Sequence, residues 1–279
     1  MEREKRFGSA GLRRHSVQLA ELRKLFLADI TIAAICEPLH RIPEHAPSRE
    51  TRELLTQRGF DVAGLKTIDG ENAEGYVVIN DLVEGSCGQH RKEFRESDLL
   101  SDATPLIHTI RALEKSDYRF VLSKDRVDSI ATRADLQKLP VRMLAFGLIT
   151  LFEMHLTDLL GRFYPNDSWK ESLSSDRLAN ANRLMDTRKS RNEQLSLIDC
   201  LQLCDKRDLL AKNSDWYQAL QFTSKKDVAR RVEPIERLRD RLAHAQDLCS
   251  GSSWPEVIKL FEDLERLIQK CEEVESGTP

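Results

Sequence analysis

The sequence predicts an α+β first part followed by an all-α helical bundle. Helix, strand, turn and strand patterns occur in the same order twice before residue 137, and strand patterns stop after that point. The segment 139–165 is apolar on most faces and has proline near both ends, as expected for the central helix of a bundle. The 279 residues can form two domains, and we expect the chain to divide into 1–28, 29–137 and 138–279.

Composition and charge predict a soluble, cytoplasmic protein that has no membrane partner. The net charge is -3 and the mean hydropathy is -0.47, so no global basic field attracts nucleic acid and phosphate binding must come from local patches. The longest apolar run, 143–152, is shorter than the roughly 20 residues that span a membrane. The first residues carry charges of both signs and no apolar region, which predicts that there is no secretory signal.

The six cysteines are scattered and form no CxxC pair. Cys200 and Cys204 lie four positions apart in a helical pattern, a spacing that could hold a metal or a redox bond. Free cysteines in a reducing cytosol usually act as small buried apolar residues. We therefore predict no metal site.

The repeat follows one helical segment, 16–30, whose predicted apolar stripe is Leu19, Leu22, Leu25 and Phe26. The helix and two strands of each unit lie, in order, at 48–59, 60–67 and 76–79 in the first unit and at 105–116, 118–123 and 127–132 in the second. Aligning Asp81-Leu82 with Asp135-Leu136, which close the two units, gives an offset of about 54 residues and pairs the elements in order.

This order of elements, closing in Asp-Leu, resembles the CBS domain, and the two units together resemble a CBS pair, or Bateman module, over residues 29–137. The resemblance implies that AMP, ATP or S-adenosylmethionine binds between the repeats and regulates an attached domain. The family's Thr-x-x-Asp signature after an apolar strand is matched by Thr132 and Asp135. The first unit has Asp81, but Val78 replaces the threonine, so the resemblance implies at most one intact nucleotide site.

Thr132 and Asp135 suit that role chemically. A carboxylate can accept hydrogen bonds from ribose hydroxyls, and a threonine hydroxyl can donate to a phosphate oxygen. Arg133, between them, is a candidate phosphate contact. Threonine and aspartate at this spacing also cap many helices, so a purely structural role is the alternative.

Four helices are predicted in the second part, at 139–165, 194–211, 232–249 and 253–274, with a polar stretch before the second that holds a short helix and a loop. The second helix is expected to bury Leu195, Ile198, Leu201 and Leu209. In the last helix, Ser253 is the predicted N-cap and Glu256 has the capping-box position.

An arginine-rich stretch, Arg237–Gln246, lies in the third predicted helix and contains one of the seven histidines. The expected buried stripe of that helix is Ile235, Leu238, Leu242, Ala245 and Cys249. Arg239, Asp240 and His244 lie off this stripe. The solvated face of any amphipathic helix would show the same arrangement.

The polar Asp240 directly follows Arg239, and His244 lies four positions after Asp240, late in the predicted helical bundle. This pattern resembles the R-x4-H motif of the HEPN superfamily. The resemblance covers about residues 138–275 and implies a metal-independent endoribonuclease of toxin or antiphage-defence type, active as a homodimer on RNA. It makes Arg239 and His244 the catalytic pair and gives Asp240 an orienting role. Gln246 stands where some members have a modifiable tyrosine, so that mode of control is not expected, and the sequence leaves any antitoxin or partner gene open.

These residue types suit RNA cleavage without a metal. The 2′-OH needs a base, the leaving oxygen needs an acid, and the phosphorane needs positive charge. Histidine can supply the first two near neutral pH, and arginine can hold phosphate oxygens. Arg237 and Arg241 are expected to contact the RNA backbone.

The leading hypothesis is a nucleotide-regulated endoribonuclease in which the CBS pair controls the HEPN-like bundle. The alternative is a non-catalytic, nucleotide-sensing dimeric scaffold or regulatory interaction protein. A third hypothesis, a small-molecule enzyme that uses Glu153 and His155, is disfavoured because no Gly-rich phosphate loop or metal-ligand cluster accompanies them. These two residues are otherwise candidates for the wall of the cleft in which a HEPN-type dimer would bring its two motifs together. The alternative is that they are polar positions at the edge of a packed helix.

Overall fold

The computed structural model of the protein describes residues 18–67, 70, 72–191 and 196–277. The strands in these ranges are β1 (Glu37–Pro38), β2 (Arg41–Pro43), β3 (Val62–Lys66), β4 (Gly75–Val78), β5 (Leu99–Ser101), β6 (Tyr118–Ser123) and β7 (Arg126–Thr132). The helices are α1 (Leu19–Ala28), α2 (Ser48–Arg58), α3 (Leu106–Ala112), α4 (Leu139–Phe163), α5 (Ser175–Lys189), α6 (Leu203–Lys212), α7 (Ser214–Ala219), α8 (Lys225–Ala243) and α9 (Trp254–Ser276). In the described residues, every strand precedes α4, as the sequence predicted.

The two repeat units have the same topology. In the first unit, β2 is parallel to β3, β3 is antiparallel to β4, and α2 connects β2 to β3. In the second unit, β5, β6, β7 and α3 have the same directions and the same order. The predicted repeat is therefore confirmed, although the sequence missed β2 and β5, which are only three residues long and too short to show an alternating pattern.

The segment before the first unit connects the two sheets. β1 pairs antiparallel with β7, which gives one sheet the order β1-β7-β6-β5, and the other sheet has the order β2-β3-β4. Only Leu39 and His40 separate β1 from β2, yet these two strands belong to different sheets. The chain therefore crosses from one sheet to the other at these two residues.

The two sheets pack on each other through aromatic side chains. The rings of Tyr76 on β4 and Phe120 on β6 are 4.7 Å apart, and Phe94 lies 4.8 Å from Phe120. Val62 and Val127 belong to the same buried cluster. Each of these rings buries a large apolar area, which suits the contact between two sheets of short strands.

The main core of the protein extends across residue 137. Ile110 of α3 and Ala131 of β7 belong to the same buried cluster as residues of α4 and α9. The second repeat and the helical bundle thus share one apolar core. In α1, Leu19 and Phe26 are buried as predicted, but Leu25 is 56% exposed, so its assignment to the buried stripe was wrong.

Helix α4 is the predicted central helix, with Pro140 in its first turn. By length and composition it could cross a membrane, with a mean hydropathy of 1.5 over its most apolar window. Of that window, 61% is buried inside the protein, as expected for the centre of a bundle. The side chains of Leu139, Met143 and Phe146 are exposed on the remaining face.

Two helix boundaries differ from the prediction because side-chain caps override the apolar pattern. The second predicted helix is interrupted, because a 3-10 turn covers Leu197–Cys200 and α6 begins only at Leu203. Asp199 and Asp205 each accept a hydrogen bond from the backbone amide three residues earlier, and these caps start the turn and the helix separately. Leu201 and Leu209 are buried, Ile198 is half-buried, and Leu195 lies outside the described residues.

The third predicted helix begins earlier and ends earlier than expected. Helix α8 begins after Ser224, whose side chain accepts a hydrogen bond from the amide of Asp227, and Pro234 is accommodated within the helix. It ends at Ala243, and Ala245 has a φ of 52°. Ala245 is therefore exposed and outside the helix, which corrects its predicted place on the buried stripe.

The last helix agrees with the prediction. Ser253 and Glu256 form the expected capping box at the start of α9. Helix α9 packs along α4, and its buried residues include Leu264, Ile268 and Cys271. The polar stretch between the first two predicted helices contains α5, and α7 was not predicted from the sequence.

Candidate functional site

A cleft of about 990 Å³ lies between the two repeat units. One wall comes from residues 37–40, 59–62 and 78–80, and the other comes from 117–118 and 130–135. The volume is within the range of about 300 to 1,000 Å³ that is typical of small-molecule sites. Trp254, the first residue of α9, also lines this cleft.

The lining combines apolar surface with a few polar groups. Phe60, Val62, Val78 and Ile130 supply apolar surface, which suits a flat heterocycle. Burial, together with nearby tyrosine and aspartate side chains, raises the pKa of Tyr118 to about 12. The Tyr118 hydroxyl therefore stays protonated even in strongly alkaline solution.

Thr132 and Asp135 both line the cleft and are bonded to each other. The backbone amide and the hydroxyl of Thr132 donate to Asp135 Oδ2 at 2.7 and 2.8 Å. On the other side, Lys138 Nζ lies 2.9 Å from Asp135 Oδ1. The pair forms a capping box, which is the structural role that the sequence left open. A carboxylate has about four acceptor positions, so this arrangement leaves room for a further donor on Asp135.

Arg133 is engaged by the end of α3 and the residues that follow. Its guanidinium donates to the carbonyl oxygens of Leu113 at 2.8 Å and Glu114 at 2.7 Å. It also pairs with Asp117 at 2.5 Å. These bonds hold the guanidinium against the residues that follow α3, while Arg133 also lines the cleft, so a phosphate contact by Arg133 stays a prediction.

Asp81, the counterpart of Asp135 in the first unit, does not line this cleft. Its carboxylate pairs with Lys92 at 2.7 Å, and its neighbour Asn80 lines the cleft instead. Only one of the two closing aspartates therefore faces the cavity between the repeats. The sequence did not identify Asn80, because the residue types alone do not show which side of a turn faces a ligand.

The helical half contacts the cleft region at two places. Trp254 lines the cavity directly, and Gln137, two residues after Asp135, is bonded to the loop between α8 and α9. Gln137 Oε1 accepts from the amide of Leu248 at 3.1 Å, and Gln137 Nε2 donates to Asp247 at 2.5 Å. Neither contact was predicted, because both depend on how distant segments pack.

The structure does not bring Arg239 and His244 together within one chain. Arg239 donates to the neighbouring Asp240 at 3.0 Å, and no hydrogen bond or ion pair joins it to His244 among the described residues. His244 is the exposed C-cap residue of α8. Arg237 is exposed, and Arg241 donates to the carbonyl of Leu248 at 2.8 Å.

Glu153 and His155 have structural partners on opposite sides of α4. Glu153 pairs with the buried Lys206 of α6 at 3.2 Å. His155 is buried, and its Nδ1 lies 2.8 Å from Glu275 of α9. Both residues therefore have partners across helix contacts, which agrees with the alternative of polar positions at the edge of a packed helix, and their place in the wall of a dimer cleft stays a prediction. No cluster of metal-ligating side chains occurs in the part of the chain that the structure describes.

The chain was compared with family models, curated proteins and solved structures. No family model matches this chain, and no curated protein matches it. Among solved structures, it is similar to CBSX2 in complex with AMP, with 17% identity over 40% of this chain and 97% of that chain, at a TM-score of 0.36. The CBS-pair protein CBSX2 from Arabidopsis thaliana has 17% identity over 40% of this chain and 95% of its own, at a TM-score of 0.35. A CBS domain protein from Pyrobaculum aerophilum complexed with AMP has 16% identity over 38% of this chain and 90% of its own, at a TM-score of 0.34.

Proposed function

We propose that the protein is an adenine-nucleotide sensor in which a CBS-like pair, residues 29–137, controls the helical bundle. The observation that carries this proposal is the cleft of about 990 Å³ between the repeats, with Asp135 on its wall and Trp254 from α9 beside it. Apolar strand residues would enclose the base, and the Asp135 carboxylate would accept a ribose hydroxyl.

Control of the bundle would follow from the contacts of Trp254 and Gln137. A ligand in the cleft would touch the first residue of α9, and the segment that holds Asp135 continues into Gln137, which holds the α8–α9 loop. A ligand shifts a conformational equilibrium by its difference in affinity for the two states. A ligand that contacts Trp254 and Asp135 at the same time would bind more tightly when the cleft and the α8–α9 loop are both ordered. This difference in affinity would favour the ordered state.

The test is binding of AMP, ATP and S-adenosylmethionine by calorimetry, with Asp135→Asn and Asp81→Asn as a matched pair. Both substitutions remove the charge of a closing aspartate, but only Asp135 lines the cleft. Losing a charge-assisted hydrogen bond of about 1.5 to 3 kcal/mol lowers affinity roughly tenfold or more. We expect this loss in Asp135→Asn and unchanged affinity in Asp81→Asn. Equal effects of the two substitutions, or no binding of any adenosine ligand to the wild type, would overturn the proposal.

A second proposal concerns the bundle itself: a metal-independent endoribonuclease that needs a homodimer to pair its R-x4-H motifs. The observation that favours it is the exposure of Asp240 and His244 at the end of α8, where RNA and a second chain can reach them. The exposed stripe of Leu139, Met143 and Phe146 offers apolar surface for such a dimer. The alternative is a non-catalytic scaffold that uses the same surfaces.

A further inference from the structure

A second cavity, of about 460 Å³, adjoins the nucleotide cleft. The two cavities share Pro38, Leu39, His40 and Phe60 as lining residues. The shared wall is the segment at which the chain crosses from one sheet to the other. A ligand in the cleft could therefore extend past His40 into the second cavity.

The charge of the two cavities differs. Among the described residues, the second cavity is lined by Arg41, Arg58, Lys66 and His40, and by no carboxylate. The described lining of the cleft has the opposite composition: its one guanidinium is that of Arg133, and its carboxylates are those of Glu37, Asp61, Asp117 and Asp135. Hydroxyl donors are thus favoured in the cleft and anions in the second cavity.

The fold concentrates these cations. Arg41 of β2 is paired with Gly64 of β3, and Lys66 lies two residues beyond Gly64, so both side chains project from one face of the sheet. Arg58 lies in the last turn of α2, just before Gly59, whose φ of 68° turns the chain towards Phe60. None of the three cations has an ion-pair partner among the described residues.

Two polar atoms in this wall are shielded from solvent and lack a partner. His40 Nε2 and Arg41 Nε have no hydrogen-bond partner within the described part of the chain. Burial, followed by the positive charge of Arg58, lowers the pKa of His40. Buried polar groups without partners are rare. Arg41 Nε always carries a proton, so a bound anion would supply the acceptor that this atom lacks.

We propose that the second cavity binds the terminal phosphates of a nucleoside di- or triphosphate whose adenosine part occupies the cleft. The proposal rests on the nucleotide-sensing function proposed above and narrows it. ADP and ATP are the expected ligands, whereas AMP and S-adenosylmethionine lack the phosphates that would reach Arg58 and Lys66.

The experiment measures the affinities of adenosine, AMP, ADP and ATP by calorimetry without divalent metal. Arg58→Gln and Lys66→Gln are the test variants, and Arg52→Gln is the matched control, because Arg52 is an exposed cation of α2 outside this cavity. We expect the wild type to bind ATP roughly tenfold more tightly than AMP, because one hydrogen bond to a charged group changes an affinity by about that factor. Each test variant should lose most of that preference and bind AMP within about twofold of the wild type, and Arg52→Gln should bind as the wild type does.

Inorganic tripolyphosphate separates failure of this inference from failure of the nucleotide-sensing function. If AMP and ATP bind equally well and tripolyphosphate does not compete with ATP, the phosphate site is overturned and the sensor remains. If no nucleoside binds but tripolyphosphate does, and Arg58→Gln weakens it, the second cavity is an anion site and the sensor is wrong. Thermal unfolding of each variant checks that the substitutions preserve the fold.

Discussion

Gln137 and Leu248 are joined by a hydrogen bond of 3.1 Å between a side-chain oxygen and a backbone amide. Gln137 closes the second repeat, and Leu248 is in the loop between α8 and α9. Arg142 strengthens the same junction, because its guanidinium donates to Gln137 Oε1 at 3.0 Å and to the carbonyl of Gln246 at 2.7 Å. The loop that follows His244 is thus fixed to the segment that directly follows Asp135 in the wall of the candidate nucleotide site.

Nucleotide binding should change the fluorescence of Trp254 alone among the three tryptophans. Trp169 and Trp216 are fully buried in the helical core, at 1% and 0% exposure, whereas Trp254 lines the cleft. Stacking or dehydration of the indole by a bound adenine should shift or quench its emission. Titration of Trp254→Phe should show no such change, although calorimetry still detects binding. A ligand-induced change that persists in Trp254→Phe, or no change in the wild type when calorimetry detects binding, would show that the bound nucleotide does not contact Trp254.

Hydrogen exchange should report the junction between cleft and loop. In the wild type we expect bound nucleotide to slow amide exchange at 245–249, because that loop is held by Gln137 and Arg142. Gln137→Ala removes the bond to Leu248 and should abolish this slowing while the affinity falls by less than about threefold. Helix α5, remote from the cleft lining, is the internal reference. Equal ligand protection of the loop in both proteins would contradict the coupling.

Glu265 should stabilise the contact between α1, α3 and α9. Its buried carboxylate accepts from Arg23 at 2.9 Å and from Arg111 at 3.0 Å. Both arginines are partly exposed, at 39% and 43%, so solvent screening reduces the value of these ion pairs. We expect Glu265→Gln to lower the free energy of unfolding by about 1 to 2 kcal/mol.

The control for this measurement is Glu262→Gln, on the same helix. Glu262 is 36% exposed and lies 3.8 Å from Arg111, so its removal should cost less than about 0.5 kcal/mol. Urea unfolding of both variants decides the point. If the two variants lose similar amounts of unfolding free energy, the burial of Glu265 does not make its ion pairs more stabilising than those of Glu262.

His244→Ala should leave the free energy of unfolding within about 0.5 kcal/mol of the wild type, because His244 is exposed and lies beyond the end of α8. Loss of RNA cleavage in this variant would therefore result from removal of the imidazole group and not from unfolding. If the bundle is a ribonuclease, wild-type protein in EDTA should leave cyclic 2′,3′-phosphate ends on total RNA, and His244→Ala and Arg239→Ala should not. Intact RNA with the wild type, with or without ATP, would favour the scaffold.

The sequence located both repeats and the long helices because their signals are local. The two long strands of the second unit are six and seven residues long and rich in apolar residues, and the capping residues Ser253 and Glu256 lie at the start of the helix that they cap. The boundaries that it missed, at α6 and α8, depend on short polar caps that compete with apolar periodicity. Thr132 and Asp135 were found as a pair, but their bonds to each other and to Lys138 were not.

The sequence by itself determined the order of elements, the repeat and the central helix, because periodicity and capping act between residues a few positions apart. Only the tertiary structure placed Trp254 in the cleft, set Arg41, Arg58 and Lys66 around one cavity, and directed Glu153 and His155 to different helices. These positions depend on contacts between segments that are distant in the chain. Such contacts form only when the whole apolar core is assembled.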